Sequence, residues 1–267
     1  MSYQPIVPIG GLVGWKFLTR TLETQTTAFD NSAEITRDTE YFEKNIASVE
    51  TAEQLVSDRR LLRVALGAFG LGDDLDSRAL IQQVLEGGTQ KTGALATRLA
   101  DDRYRAFADA FGFGNAAGRR TANPGFSTEI TGQFRRVQFE VAVGNQDESL
   151  RLAMDAQRSF LDIANQSGSE EVRWLKIMGN PRLRQLFETA LGLPSSFAQI
   201  DIDKQVAVFS ERAGRQLGLK DLTTLANAEV QDAVIERFLL RDQVSNFTAQ
   251  SSASVALTLL QNASRFD

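Results

Sequence analysis

Three aspartates follow Gly72 closely enough to be weighed as a cation loop: Asp73, Asp74 and Asp76. An EF-hand loop needs ligands at fixed positions, a central glycine and a closing glutamate twelve residues along. Here the tract runs straight into a helical pattern from Arg78 to Glu86, so helix capping and compensation of the helix dipole are the expected roles. Asp201 and Asp203 offer a still weaker version of the same pattern. Gly112-Phe113-Gly114 with Gly118 has the glycine density of a phosphate loop, but lacks Gly-Lys-Ser/Thr and has no strand before it. The neighbouring Arg119-Arg120 pair reads as an anion or protein contact, or as a solvated loop. Glu40 with Glu43, and Glu170 with Glu171, fall at helical spacings that suit solvated faces. No Ser-x-x-Lys pair stands in a catalytic context, and no Gly-x-Ser-x-Gly elbow is present.

Two absences narrow the chemistry further. The chain has no cysteine and no histidine. Thiol nucleophiles, disulfides and Cys- or His-ligated zinc, iron and haem are excluded, as is the commonest base near neutral pH. The expectation is therefore no catalytic residue, no cofactor and no metal site, including none at Asp73, Asp74 or Asp76.

What the residues do specify is a set of helices with marked beginnings and ends. One phrase occurs three times: Asp58-Arg59-Arg60-Leu61 to Ala68-Phe69-Gly70-Leu71, Asp101-Asp102-Arg103-Tyr104 to Ala110-Phe111-Gly112-Phe113, and Asn180-Pro181-Arg182-Leu183 to Ala190-Leu191-Gly192-Leu193. The opening Asp or Asn is an N-cap acceptor, and the closing glycine supplies a left-handed C-terminal residue, as in a Schellman ending. Asp58 and Asn180 are expected to cap through their side chains. Gly70, Gly112 and Gly192 are expected at or just past helix ends, with Phe69, Phe111 and Leu191 buried. Arg60, Arg103 and Arg182 sit in first turns, where a cation opposes the dipole. They are read as pins seeking a carboxylate or another helix's C-terminus, with an anion site as the alternative.

The remaining pattern is helical throughout. Apolar residues recur at helical spacing over 15–29, 36–46, 78–86, 93–99, 127–143, 147–165, 170–178 and 227–241, and a last amphipathic helix spans 252–266. Thr51-Ala52-Glu53-Gln54 reads as a capping box. With no convincing strand, the fold class is all-α. The organisation read from composition is an extended N-terminal arm over 1–14, a helical subdomain over 15–113, a Gly-rich loop or hinge over 114–126, and a second subdomain over 127–267, the two able to pack as one.

Composition sets the partners. A net charge of -5 argues against a broad nucleic-acid footprint. Seventeen phenylalanines against three tyrosines and two tryptophans suit an apolar core rather than a base-stacking platform. No segment has the length of apolar sequence a membrane helix needs. Residues 1–15 are apolar but lack a basic leader, so no cleaved secretory signal is read there.

Asp58-Arg59-Arg60-Leu61-Leu62 through Leu71, Leu99-Ala100-Asp101-Asp102-Arg103-Tyr104-Arg105 through Gly114, Asp38 to Ile46 and the copy at Asn180 together resemble an uncharacterised all-helical bacterial family. It is a domain-of-unknown-function family, found chiefly in alphaproteobacteria and often encoded among flagellar genes. The resemblance covers residues 14–241. Family heads often read Asp-Pro-Arg, a proline kept here only at Pro181. The resemblance carries no catalytic residues and implies a structural or accessory role in flagellar assembly or motility, with a flagellar protein as partner. The alternatives are a cytoplasmic regulatory or chaperone-like module binding another helical protein and, third, an enzyme using carboxylates or a loosely held metal. The expected location is the cytoplasm, or outside the cell by flagellar export. The expected partner surface lies near the 114–125 loop or the two terminal segments.

Overall fold

The computed structural model describes residues 3–263, with the side chains of Ser195 and of residues 249–263 outside the description. Among the described residues there are thirteen α-helices and no strand, and 74% of the chain is helical, so the fold is all-α. Contacts divide the chain into two units, one of Met1–Val7 with Phe17–Gln146 and one of Pro8–Lys16 with Asp147–Asp267.

The first unit holds most of α1 (Gly11–Asp30), then α2 (Ala33–Asn45), α3 (Ala52–Ser57), α4 (Arg59–Ala68), α5 (Arg78–Gly87), α6 (Leu95–Arg98), α7 (Asp102–Phe111) and α8 (Phe126–Gly144). Helix α4 is its centre: Leu61, Leu62, Val64, Ala65, Leu66 and Ala68 are all buried. Gly67 lets α8 approach closely, since a β-carbon there would stand 2.7 Å from the Phe134 ring. Phe107 forms a tilted or edge-on aromatic chain with Phe69 and Phe111, and Phe126 meets Phe111 at 5.2 Å.

The second unit holds α9 (Glu148–Ala164), α10 (Glu170–Gly179), α11 (Pro181–Leu191), α12 (Ile202–Leu217) and α13 (Ala228–Ala263). Trp174, Phe187 and Phe209 form its aromatic core, joined by Phe160 and Phe197. Val234, Ile235, Phe238 and Leu239 seat the first part of α13.

Several boundaries differ from the sequence reading. The arm ends at Gly10, because α1 starts at Gly11 instead of Trp15. Small residues permit that early start: a β-carbon on Gly14 would stand 1.9 Å from the Ile9 carbonyl oxygen. The two helices expected over 227–241 and 252–266 are one continuous helix to Ala263, since no glycine or proline interrupts residues 242–251. Residues 264–266 lie outside the described part.

The unit boundary also falls between Gln146 and Asp147, within the second half expected from composition, and not in the 114–126 loop. That loop is tied into its own unit. Arg119 donates to the carbonyls of Ala47 and Val49, and Thr121 donates to Val49 at 2.7 Å while itself buried. Gly114 lies so close to the end of α5 that a β-carbon on it would stand 2.4 Å from both the Glu86 carbonyl and the Gly88 nitrogen.

Candidate functional site

The repeat performs as capping chemistry. Asp58 Oδ1 accepts from the N–H groups of Arg60 and Leu61 at 2.9 and 3.0 Å, and Asn180 Oδ1 from those of Arg182 and Leu183 at 3.0 and 3.3 Å. Asp101 caps in the same way with one bond, from Arg103. Gly70, Gly112 and Gly192 all take positive φ, from 64° to 71°. The first and third copies close with the paired Schellman bonds, Leu71 to Leu66 with Gly70 to Gly67, and Leu193 to Glu188 with Gly192 to Thr189. The second copy closes with one bond from Gly112 to Ala108, and the Phe111 carbonyl instead accepts from Arg120. Phe111 and Leu191 are buried. Phe69 is only half-buried: α4 stops at Ala68, so this ring lies past the last helical turn, edge-on to Phe107.

The three first-turn arginines find three kinds of partner. Arg60 lies over the Tyr41 ring at 3.8 Å. Arg103 clasps its own cap, Asp101, and donates to the Gly70 carbonyl at the end of the preceding copy. Arg182 pairs with the buried Asp155 at 3.6 Å, alongside Arg158. The end of α11 draws further cations from later in the chain: Arg237 donates to Ala190, and Arg212 to Leu191 and Gly192. Such contacts complement the negative pole of a helix C-terminus.

The aspartates weighed as cation ligands are dispersed among structural contacts. Asp74 accepts from the Tyr104 hydroxyl at 2.8 Å. Burial first, and then the bond donated to Asp74 and the charges of Asp74 and Asp101, push the pKa of the Tyr104 phenol up to about 12. Asp76 pairs with Arg59 at 2.6 Å, and that bond and charge hold its carboxyl below the usual range. Among the described residues, no group of three or more carboxylates is gathered as a metal would require. Arg119 turns inward, and it pairs with the Glu50 carboxylate at 3.2 Å.

The feature that structure needs least stands where the arm meets α13, within the second unit. Gly11, at φ 66°, brings the start of α1 onto α13 so closely that a β-carbon would stand 2.0 Å from the Gln243 amide nitrogen. Gly10 presses on the Asp147 carboxylate, whose other oxygen caps α9 by accepting from Leu150 at 3.1 Å. Ser149 and Asn246 both donate to Asp242 Oδ2, at 2.6 and 2.9 Å, and Lys16 pairs with Glu236 at 3.2 Å. These contacts leave an open groove of about 900 Å³ between the arm and α13. Ile9, Val244 and Phe247 line it, and they are 57%, 65% and 74% exposed. Leu240, 50% exposed, continues the row one turn earlier on α13. The spacing 240, 244, 247 puts these three on one helix face. A run of exposed apolar residues on one helix face is a candidate interaction surface, whereas single exposed hydrophobes need no explanation.

This face belongs to the two terminal segments, one of the two places expected to carry a partner surface. A helix that stops at Arg241 separates Leu240 from Val244 and Phe247, whereas the continuous α13 puts them on one face. Their alternation of four and three residues was the available signal.

A family model described as a protein of unknown function (DUF1217) matches residues 68–230, more than half of the chain. The matched span ends before Leu240, Val244 and Phe247 of α13. No curated protein matches the chain. Among solved structures, the X-ray structure of a protein from Agrobacterium tumefaciens, determined by the Northeast Structural Genomics Consortium, aligns with a TM-score of 0.71. It is 24% identical and the alignment covers 91% of this chain and 100% of that one, a likeness of fold.

Proposed function

The chain belongs to the DUF1217 family of proteins of unknown function, and from that premise we propose that it is a non-enzymatic helical accessory protein of flagellar assembly, acting through protein contacts at the groove between its arm and α13. The observation that carries this reading is the apolar row Ile9, Leu240, Val244 and Phe247, held open to solvent by a well-bonded frame. Fully burying such a side chain from water contributes about 1.5–3 kcal/mol, and these four keep half to three quarters of their exposure, so covering them favours a partner. Lack of histidine and cysteine supports a role without catalysis. The flagellar setting rests on the sequence resemblance at the repeat. No helix among the described residues is long and apolar enough to cross a membrane.

A clean deletion strain tests the reading. Deletion should reduce swimming, the wild-type gene should restore it, and a copy carrying V244E and F247D should accumulate normally without restoring it. Normal swimming with normal filaments in the deletion strain overturns the proposal. A tagged copy sought in the medium of wild-type cells and of a flagellar-export mutant separates a cytoplasmic from an exported site of action.

A further inference from the structure

We infer that the groove accepts a single amphipathic helix of a different protein, with an apolar seam flanked by lysine or arginine. The inference rests on the reading of this chain as one that works through protein contacts, and it specifies the partner. On the apolar side of the groove Val244 and Phe247 line it and Leu240 extends the same helix face one turn beyond it, alternating by four and three residues, the spacing that receives knobs from a second helix. From Leu240 to Phe247 the seam runs about 10 Å, two turns, which suits a helix laid in a groove. The opposite wall is the Ile9–Gly11 segment, whose glycines are packed against Asp147 and Gln243 and so hold that wall in place.

Charge selects among helices. Asp147, Glu148 and Asp242 line the groove, and no lysine or arginine is among its described lining residues. Of the nearby cations, Arg241 lies against Gly192, while Arg151 pairs with Glu148 at 3.5 Å, which leaves Asp147 and Asp242 as the carboxylates that set the groove's charge. The cap bond to Asp147 and the bonds to Asp242 orient these carboxylates without neutralising them. A second copy is a poor occupant for the same reason. Two-fold pairing through this face sets one acidic rim against the other, because such an interface repeats the same patch on both sides. A partner with basic flanks gains from the rim what a second copy loses to it.

The test uses the full chain and two synthetic helices of about eighteen residues, with one leucine seam at alternating three- and four-residue spacing, one flanked by lysine and the other by glutamate. Fluorescence anisotropy should show the lysine helix binding at least about tenfold more tightly, with an advantage that shrinks as salt rises. V244E and F247D should each weaken it by about tenfold or more, and D242N by about threefold with a flatter salt dependence. L161D, at an exposed leucine of α9 outside the groove, should change nothing, and unchanged thermal melting keeps each variant interpretable. Equal binding of the two helices, or binding indifferent to V244E and F247D, overturns the inference. So does sedimentation showing that the wild-type chain dimerises at micromolar concentration and that V244E alone returns it to monomer. These outcomes concern partner chemistry in vitro and stand apart from the swimming phenotype, so either proposal can fail alone.

Discussion

Asn180 starts α11 by accepting two backbone N–H groups that the helix itself cannot satisfy, and Pro181 after it has no N–H to satisfy. Replacing Asn180 with alanine should lower stability by about 0.5–2 kcal/mol, measured by urea unfolding. Asp58 does the same work with a charge. Burial raises its carboxyl pKa, but the bonds from the Tyr41 hydroxyl and the Leu61 and Arg60 amides, with the Arg60 charge, outweigh that and hold it below the ordinary 3.8. A carboxyl lowered by folding contributes fully above its unfolded value and loses that contribution as pH falls through the folded one. Asp58→Asn keeps an acceptor but removes the titration, so its stability should depend less on pH below about pH 4 than that of the wild type. Unfolding curves collected across the acid range check the sign.

Helices here end as deliberately as they begin, and the endings are where one element grips another. Arg103 of the second copy bonds to the last glycine of the first, and Arg212 and Arg237 gather on the end of α11. The loop after α7 grips in another way, by backbone proximity. Gly114 sits against the Glu86 carbonyl and the Gly88 nitrogen with no space for a methyl group, whereas Gly72 has nothing within 4 Å. Gly114→Ala should therefore cost about 1–3 kcal/mol by overpacking. Gly72→Ala should be close to neutral, since Gly72 is not at positive φ. Parallel thermal melts of the two variants distinguish steric contact from a general intolerance of side chains in these loops.

At the scale of the whole molecule, the same helix phrase serves both units, twice in the first and once in the second, and the N-terminal segment contributes residues to each. Reuse of one stop-and-start device gives α4, α7 and α11 their defined ends. The arm–α13 groove is the part of the molecule that this device does not account for. Because Phe247 is 74% exposed, replacing it with aspartate should leave the unfolding free energy within about 0.5 kcal/mol of wild type. A much larger loss in denaturant titration would mean that the face serves the fold and not a partner.

Helical character and the capped helix ends were legible in the sequence because they depend on local chemistry, whereas the start of α1 and the continuity of α13 were not. A cap oxygen reaches N–H groups two or three residues away, and a glycine at positive φ ends its own helix, so Asp58, Asn180, Gly70 and Gly192 declare themselves without tertiary information. The first-turn arginines announced that they needed partners, since a cation there works against the dipole, but not which ones. Tertiary structure decided that Arg60 takes an aromatic face, Arg103 a carbonyl and Arg182 a carboxylate. It decided too that the glycine-rich loop is bound into its unit, because its bonds to Val49 span some seventy residues of chain. The groove is the clearest case. Residues 9–11 and 240–247 lie at opposite ends of the chain, and only packing shows that the row of apolar side chains they share is left in water while equally apolar rows on α4 and α11 are buried. Hydrophobic spacing says that a face wants cover, and the fold alone says whether the chain supplies it.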